Sequence, residues 1–533
     1  MKWNWLRVDQ SEFPLKHMQV EQAQPPKSPR PERKPWIVGG VLAASAVFLF
    51  LQTFILPAVP LIANGDQGIH LSLAARWMDG ELIYRDYDHF PFPGTDLLYF
   101  VMFKLFGVRA WIAPAMLIVM GVSITWLSIR ISGKIMTGPN VFLPGLLFLT
   151  LPFTGFLDAT HHWYSTFAGT AALLVIIENR TTARLLWSGL LWGVATCFAQ
   201  SAVVGAMGTA VFLVWEHLRA GIRREPLMQK EACFIGSLIA TLVSFNLYFI
   251  WKAGLKRFLA DTVVFLARYY AADSFNQWRV YMADPPSIHA YSQWPNVAAF
   301  LLIHLVVPLV YVLLFVRYWR EARLHPGEPW DRLLLISLTG LCLFLSVIHS
   351  AGFMRMHTIS LPALILLVWF LRARLKAEQL LLRVLWAMTI VLAIARPAIT
   401  QTRRNKSLEL PTGRTAFAGY PVLYDKCKWV SERTRPGDYF LDDPQICFAL
   451  RLRDPSRVPF LRPTDYTRPE QVQDAIQALA RLHVRFVGWY ASLDDEVADP
   501  AGDHLAPLRA YLRQHYHLAR RFSNGDQIWE LNN

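Results

Sequence analysis

The sequence predicts a mainly α-helical, polytopic membrane protein that ends in an α/β segment. Three observations carry this prediction. Of 533 residues, 54% are apolar and only 17% charged, whereas a soluble chain usually carries about a quarter charged residues. The apolar residues gather into blocks of roughly 17–23, the length that crosses a hydrocarbon core. From residue 400 onward the pattern changes to short alternating runs and one strongly helical period, over a length that suits a small domain.

Taken in order, residues 1–35 contain "PPKSPRPERKP" and read as a disordered cytosolic tail. The first apolar block, "WIVGGVLAASAVFLFLQTFILPAV" at 36–59, starts too late for a simple cleaved signal peptide, and no small-residue cleavage site follows it. Further blocks lie near 110–129, 140–157, 163–177, 184–200, 202–217, 231–251, 296–316, 332–350, 358–371 and 380–398. Together they make roughly eleven spans. Connectors holding Arg130 and Lys134, Arg180 and Arg184, Arg219 and Lys230, Arg317 and Arg320, and Arg372 and Lys376 should face the cytoplasm. With a basic N-terminus inside, the alternation closes only if "GTDLLYFVMFKLFG" (94–107) is an interfacial or re-entrant helix. The net charge of +14 therefore belongs to membrane orientation, and no nucleic-acid partner is expected.

The outer face then collects a loop at 59–93, the turn "FLDATHHWYS" (156–165), a long loop at 252–295, "HSAGFMRMH" (349–357) and everything from residue 400. This divides the chain into the tail, a membrane domain at 36–399 and an extracytoplasmic α/β domain at 400–533. In the last, "GDYFLDD" and "VRFVGWY" read as strands and "RPEQVQDAIQALARLH" as a helix. "HLAPLRAYLRQHYHLARRFSNGDQIWEL" reads as helix, strand, Asn-Gly turn and strand. Lacking a nucleotide-binding glycine pattern, this segment is assigned no catalytic part. An oxidising compartment would permit a Cys427–Cys447 disulfide, although spacing alone does not decide one. Cys197, Cys233 and Cys342 fall in apolar blocks.

The loop at 59–93 is too long and too acidic for a plain connector. It carries Asp66, Asp79, Glu81, Asp86 and Asp88, with His70 and His89 among them. Asp66 stands just past the first block, before a stretch that reads as a helix lying on the bilayer surface. A carboxylate where water thins out accepts a proton better than one in bulk water; the alternative is an Asp that merely caps the helix. "LDATHHWYS" places Asp158, His161 and His162 at another outer helix end. These side chains could join Asp66 around a divalent cation, stack with Trp163 on a sugar ring, or cap a helix. No cofactor is required beyond that optional cation. "MRMHTISLPALIL" sets Arg355 and His357 at the mouth of a span, as phosphate ligands or, for Arg355, as an interfacial anchor. Arg257 and Arg268 in the long loop either close over a lipid phosphate or lie on headgroups.

The loop resembles the first outer loop of polytopic glycosyltransferases with the GT-C fold, above all the protein O-mannosyltransferase-like superfamily and its bacterial branch. Those proteins have an acidic residue after the first span, an Ala-rich helix, a Gly…Tyr-x-Asp element and a proline pair. Here Asp66 is followed by "AARWMDGELIYRDY", with Gly80, Tyr84 and Asp86, and then by "PFPGTDLLYF", with Pro91 and Pro93. Two departures stand out. Asp66-Gln67 replaces the usual Asp-Glu, and Phe92 splits the prolines. One carboxylate in place of two counts against a metal-binding carboxylate pair there.

The resemblance implies an enzyme of a bacterial inner membrane, embedded among membrane lipids. Its donor would be a sugar on a polyprenyl phosphate, and its acceptor a lipid, a glycan or a protein. It implies Asp66 as general base, with Tyr84, Asp86, Asp158, His161 and His162 toward acceptor or sugar. Arg355, His357, Arg257 and Arg268 would hold the donor phosphate, and one in-line displacement would invert the anomeric carbon. The rival classes are a lipid-linked-glycan ligase or polymerase, whose catalytic loop comes late in the chain, and a transporter. A transporter predicts repeated halves and charged groups near mid-membrane, and neither is evident.

Overall fold

The computed structural model describes residues 35–62, 65–219, 224–270, 276, 281, 294–348, 352–372, 375–441, 443–462, 466–494 and 503–532. The expected tail lies outside these residues up to position 34, as do 349–351 and most of 271–293 in two expected outer segments. The chain falls into two compact units, Met1–Val41 and Leu42–Asn533. The described part of the first is the opening of α1 (Pro35–Thr53), an apolar helix. Everything below concerns the second.

A chain in hydrocarbon must satisfy its own N–H and C=O groups, and apolar blocks do so by closing as helices. After α1, a short antiparallel pair, β1 (Phe54–Ile55) and β2 (Val59–Pro60), leads to α2 (Asp66–Met78) and α3 (Gly94–Phe106). The bundle continues with α4 (Ile112–Ile135), α5 (Leu143–Phe148), α6 (His161–Ile176), α7 (Thr182–Phe198), α8 (Ala202–Arg219) and α9 (Arg224–Ala253). Next come α10 (Leu255–Leu259), α11 (Trp294–Leu301), α12 (Val307–Glu321), α13 (Trp330–Val347), α14 (Phe353–Ile359), α15 (Leu361–Phe370) and α16 (Lys376–Thr402). Among the described residues, six helices are long and apolar enough to cross a membrane: Pro35–Thr53, Ile112–Ile135, Gln229–Ala253, Val297–Glu321, Trp330–Val347 and Lys376–Thr402. The other apolar blocks are helical too, but shorter or less apolar. As expected, 94–107 forms a 13-residue helix, α3, too short to span on its own.

Small residues let the helices approach closely. Gly189 and Gly193 of α7 face α9. A Cβ on Gly193 would stand 2.6 Å from the Thr241 Cβ, and one on Gly189 would collide with the Phe234 carbonyl oxygen. Apolar side chains gain little by leaving lipid for each other, so close backbone packing of this kind holds such helices together. Pro152, which has no N–H to donate, sits inside a π-helical turn at Leu149–Phe153.

Beyond α16, β3 (Ser407–Leu408) and β4 (Thr415–Ala416) pair antiparallel, and α17 (Pro421–Ser431) follows. The strands read from sequence appear as β5 (Phe440–Leu441), β6 (Phe486–Trp489), β7 (Tyr516–Arg521) and β8 (Gln527–Leu531). They form one sheet in the order β5-β6-β8-β7, with β5 and β6 parallel and the other pairs antiparallel. Helices α18 (Pro444–Leu450), α19 (Pro469–Leu482) and α20 (Ala506–His515) pack around it. The turn between β7 and β8 is set by Asn524-Gly525, with Gly525 at φ +91°.

Cys427 and Cys447 are both buried in the apolar core of this segment, where Cys447 Sγ lies 3.5 Å from the Phe440 carbonyl oxygen. One expectation is corrected. Helix α2 does not present an apolar face to a bilayer. Its residues from Gln67 to Arg76 are mostly buried, packed against α3 and α18, and Gly68 admits the Gln445 side chain at a distance no Cβ would allow.

Gly189→Ala should force α7 from α9 and cost about 1–3 kcal/mol, the usual penalty of overpacking. The expected result is a lower thermal midpoint in detergent, while Gly236→Ala on the open face of α9, where nothing lies within 4 Å, does not lower it.

Candidate active site

The site is built on the start of α2. Gly65 occupies the helix N-cap at φ +79° and offers no side-chain cap. Asp158, from the loop before α6, supplies the missing acceptor. Its carboxylate accepts the Asp66 N–H at 3.0 Å and the Gln67 N–H at 2.8 Å, while Gln67 Oε1 accepts the Ala159 N–H at 3.0 Å. A Cβ on residue 65 would lie 2.7 Å from Asp158 Oδ2, so only glycine admits this approach. Asp66 is thus the first residue of the helix and not its cap, which removes the capping alternative. Burial, and the Asp66 charge beside it, push the Asp158 carboxyl well above the usual carboxylate range.

Helix α6 begins at His161, and the rings of His161 and His162 lie 4.0 Å apart. Donor atoms of Asp66, His161 and His162 fall within 4.8 Å of one another. Behind them, His70 Nε2 is 3.3 Å from His161 Nδ1, and His70 Nδ1 is 2.7 Å from Asp96 Oδ1. His89 Nε2 flanks the second Asp96 oxygen at 3.2 Å. Burial opposes ionisation of Asp96, but His89 and His70 outweigh it and hold the carboxyl well below its ordinary range.

Two cavities meet here. One, of about 260 Å³, is lined by Asp66, Asp88, Asp261 and Arg355 and by a strip of the C-terminal segment that includes Phe460, Arg462 and Tyr466. The other, of about 410 Å³, runs among α6, α7, α8 and α13 past Leu173, Trp192, Val203 and Val347 and is mostly apolar. Phe90, Pro91, His161, Tyr270 and Arg355 line both. Arg355 donates to the Tyr270 hydroxyl and to Asn276 Oδ1 at 2.8 Å, with its guanidinium over the Tyr270 ring.

Of the residues singled out from sequence, Asp66, His161, His162 and Arg355 come together, and Asp158 backs them. Tyr84 and Asp86 line neither cavity. Tyr84, at φ +66°, is buried and donates to the Pro91 carbonyl at 2.6 Å; Asp86 accepts the Leu82 N–H at 2.7 Å and pairs with Arg85. Both give the loop its shape. His357 is buried behind the wall, with Nδ1 2.8 Å from the Pro152 carbonyl oxygen. Arg268 is exposed beside Tyr269, and Arg257 lines neither cavity but pairs with Asp88 at 3.1 Å.

Sequence reasoning passed over Asp96, Asp261 and the C-terminal contribution. The segment given no catalytic part lines the first cavity through Arg462, Tyr466, Arg468 and Gln471, and Gln471 donates to Asp88 at 2.8 Å. The available signal was the interleaving of arginines with aromatics in "RVPFLRPTDYTR" (457–468).

No protein-family model and no curated protein sequence matches the chain. Solved structures do. ArnT from Cupriavidus metallidurans, bound to undecaprenyl phosphate, superposes with a TM-score of 0.59 at 12% identity, covering 93% of this chain and 98% of its own. The oligosaccharyltransferase AglB from Archaeoglobus fulgidus, in complex with an inhibitory peptide and a dolichol-phosphate, superposes with a TM-score of 0.53 at 10% identity, over 94% and 74%. The chain has the GT-C fold. The expectation about fold drawn from the loop at 59–93 therefore holds over nearly the whole molecule.

Asp261 yields a pH test. Its carboxyl is pushed up to about 7 from an ordinary 3.8 by burial and then by the Asp88 charge, against Arg257 and Arg468. Stability contributed by its neutral form is complete below 3.8 and lost as pH rises through about 7. Asp261→Asn is neutral at every pH and escapes that loss. The thermal midpoint of the native protein should fall relative to the variant between about pH 4 and about pH 7. Parallel curves over that range would contradict the assignment.

Proposed function

We propose that the protein is a membrane glycosyltransferase that moves a sugar from a polyprenyl-phosphate donor to an acceptor hydroxyl on the outer face. One observation carries the reading. A carboxylate (Asp66), two imidazoles (His161, His162) and a guanidinium (Arg355) converge where a cavity lined by several charged side chains meets an apolar groove. A prenyl chain needs the groove, a phosphate needs the guanidinium, and an attacking hydroxyl needs the carboxylate. The likeness to ArnT bound to undecaprenyl phosphate adds support from the fold.

In the reaction, the acceptor oxygen attacks the anomeric carbon as the bond from that carbon to the phosphate oxygen breaks. Asp66 takes the hydroxyl proton. Arg355, steadied by Tyr270 and Asn276, meets the negative charge that grows on the departing polyprenyl phosphate. A single displacement inverts the configuration. The residues also fit a divalent cation. Two imidazoles and a carboxylate form a donor set for a transition-type ion, and the crowding that pushes Asp158 up beside Asp66 is what a cation would relieve. Asp66, His161 and His162 would hold it, and it would supply further positive charge toward the phosphate.

The proposal extends to architecture. Residues 36–399 form the catalytic membrane domain with about 11 spans, the N-terminus is cytoplasmic, and residues 400–533 form an extracytoplasmic α/β domain that roofs the first cavity. Asp158 holds Asp66 in place, while Tyr84 and Asp86 shape the loop that carries it.

Asp66→Asn preserves shape and the backbone bonds to Asp158 while losing the proton acceptor. Transfer from a purified polyprenyl-phosphate sugar should fall by roughly 10²–10⁴-fold, the usual worth of a positioned base, with an unchanged thermal midpoint. A folded variant that transfers at the native rate would exclude Asp66 as the base.

Arg355→Ala should lower transfer more than Arg355→Lys, because lysine keeps the charge but loses the two-pronged donor geometry. Equal activity in all three forms, measured over a range of donor concentrations, would reduce Arg355 to an anchor at the membrane edge.

A further inference from the structure

Behind the converging side chains runs a line of buried groups from three helices. Asp96 of α3 is fully buried, and its Oδ1 lies 2.7 Å from Nδ1 of His70 on α2, itself only 2% exposed. The other ring nitrogen of His70 lies 3.3 Å from Nδ1 of His161 at the head of α6, and His161 lines both cavities. His89 closes the far end, 3.2 Å from Asp96 Oδ2 and edge-on to the His70 ring. None of these contacts serves the packing of an apolar core, yet all of them converge on one cavity side chain.

The direction of the hydrogen bonds follows from the chemistry of the end group. An ionised carboxylate only accepts, so the ring proton of a neutral His70 must sit on Nδ1. Its Nε2 is then a bare lone pair and accepts a hydrogen bond from the nitrogen facing it, which is Nδ1 of His161. A neutral His161 consequently has no proton left for Nε2. This order requires a singly protonated His70; a doubly protonated ring would donate from Nε2 and reverse it.

We infer that Asp96 and His70 are positioning residues that fix His161 as its Nδ1–H tautomer and so present its Nε2 lone pair to the cavity beside Asp66. What that lone pair then meets, a divalent cation or the acceptor hydroxyl, rests on the proposed function; the tautomer does not. A partner that fixes the second nitrogen of a ligating histidine typically tunes metal affinity by about 10–100-fold.

The test uses the full-length purified protein labelled with ¹⁵N-histidine. Ring-nitrogen resonances of His161 are assigned by their loss in His161→Gln, and Mn²⁺ is titrated into the same preparations. The native protein should show His161 protonated on Nδ1 and bare on Nε2. His70→Phe, which keeps a ring but no acceptor, should shift the proton toward Nε2 and weaken Mn²⁺ binding about 10–100-fold. His70→Gln restores an acceptor and should keep both properties near native. The inference is overturned by a native His161 protonated on Nε2, by a doubly protonated His70, or by an unchanged tautomer in folded His70→Phe. It is also overturned by two Mn²⁺ per chain, one of them lost in His89→Gln, because His70, His89 and Asp96 would then be metal ligands themselves. If His70→Phe does not fold, the native spectrum alone decides. A native Nδ1–H tautomer without Mn²⁺ binding would support the relay and remove the cation from the proposed function.

Discussion

The site depends on the buried bridge between Asp158 and the first turn of α2. Helix N-termini leave several N–H groups unsatisfied, and here two of them are taken by one side chain from a segment 91 and 92 positions away in sequence. Gln67 returns the bond through the Ala159 N–H. These three bonds tie the start of α2 to the start of α6 and set the Asp66 carboxylate beside His161 and His162. Every other functional contact inherits that geometry. The cost is visible in Asp158, whose carboxyl is pushed upward by its own burial and by Asp66. A fold that keeps two acidic groups this close is organised for a positively charged visitor or for moving a proton.

A second constraint comes from the C-terminal segment. Asp88 accepts from Gln471 at 2.8 Å and lies within 4.0 Å of Arg257, Arg457 and Arg468. Arg76 of α2 donates to the Ser456 carbonyl at 3.0 Å, and the Asp88 N–H donates to the Arg457 carbonyl at 2.8 Å. The loop at 65–93 is therefore held from both sides, by the bundle through Asp158 and by the sheet-bearing segment through Asp88 and Arg76. A loop fixed at two ends loses little entropy when a ligand arrives.

How much of this was legible in the sequence varied with the range of the interaction. Helix positions were legible because hydrophobic period and length are local, as were the Asn524-Gly525 hairpin and the 13-residue α3. The loop motif also pointed to Asp66 and to the fold. Side-chain partnerships across the bundle were not legible. Asp158 reads like a ligand because its sequence neighbours are two histidines, yet its oxygens are spent on α2. Tyr84 and Asp86 belong to a recognisable element, but their contacts are internal to the loop. Asp96 sits in a stretch read for its prolines, and a lone carboxylate in apolar surroundings was the clue to its burial. Arg462, Arg468 and Gln471 lie about 400 residues from Asp66, and no periodicity reports such a meeting.

The two cavities differ in the charged groups that line them. Asp66, Asp88, Asp261, Arg355, Arg462 and Arg468 line the first, whereas the groove past Leu173, Trp192 and Val347 shares only Arg355 of that charged set. Arg355 stands at the wall the two cavities share. Tyr270 lies under its guanidinium and Asn276 accepts from it, which orients the fork without neutralising its charge. Asp66 faces the first cavity alone, on the side from which an acceptor roofed by Phe460 and Tyr466 would approach. In the proposed reaction, donor and acceptor would thus enter through different surfaces. Position on α14 decides which side chain reaches that wall, because two residues along a helix turn a side chain about 200° round its axis. His357, two residues from Arg355, is accordingly buried against Gly155 and Pro152 and lines neither cavity.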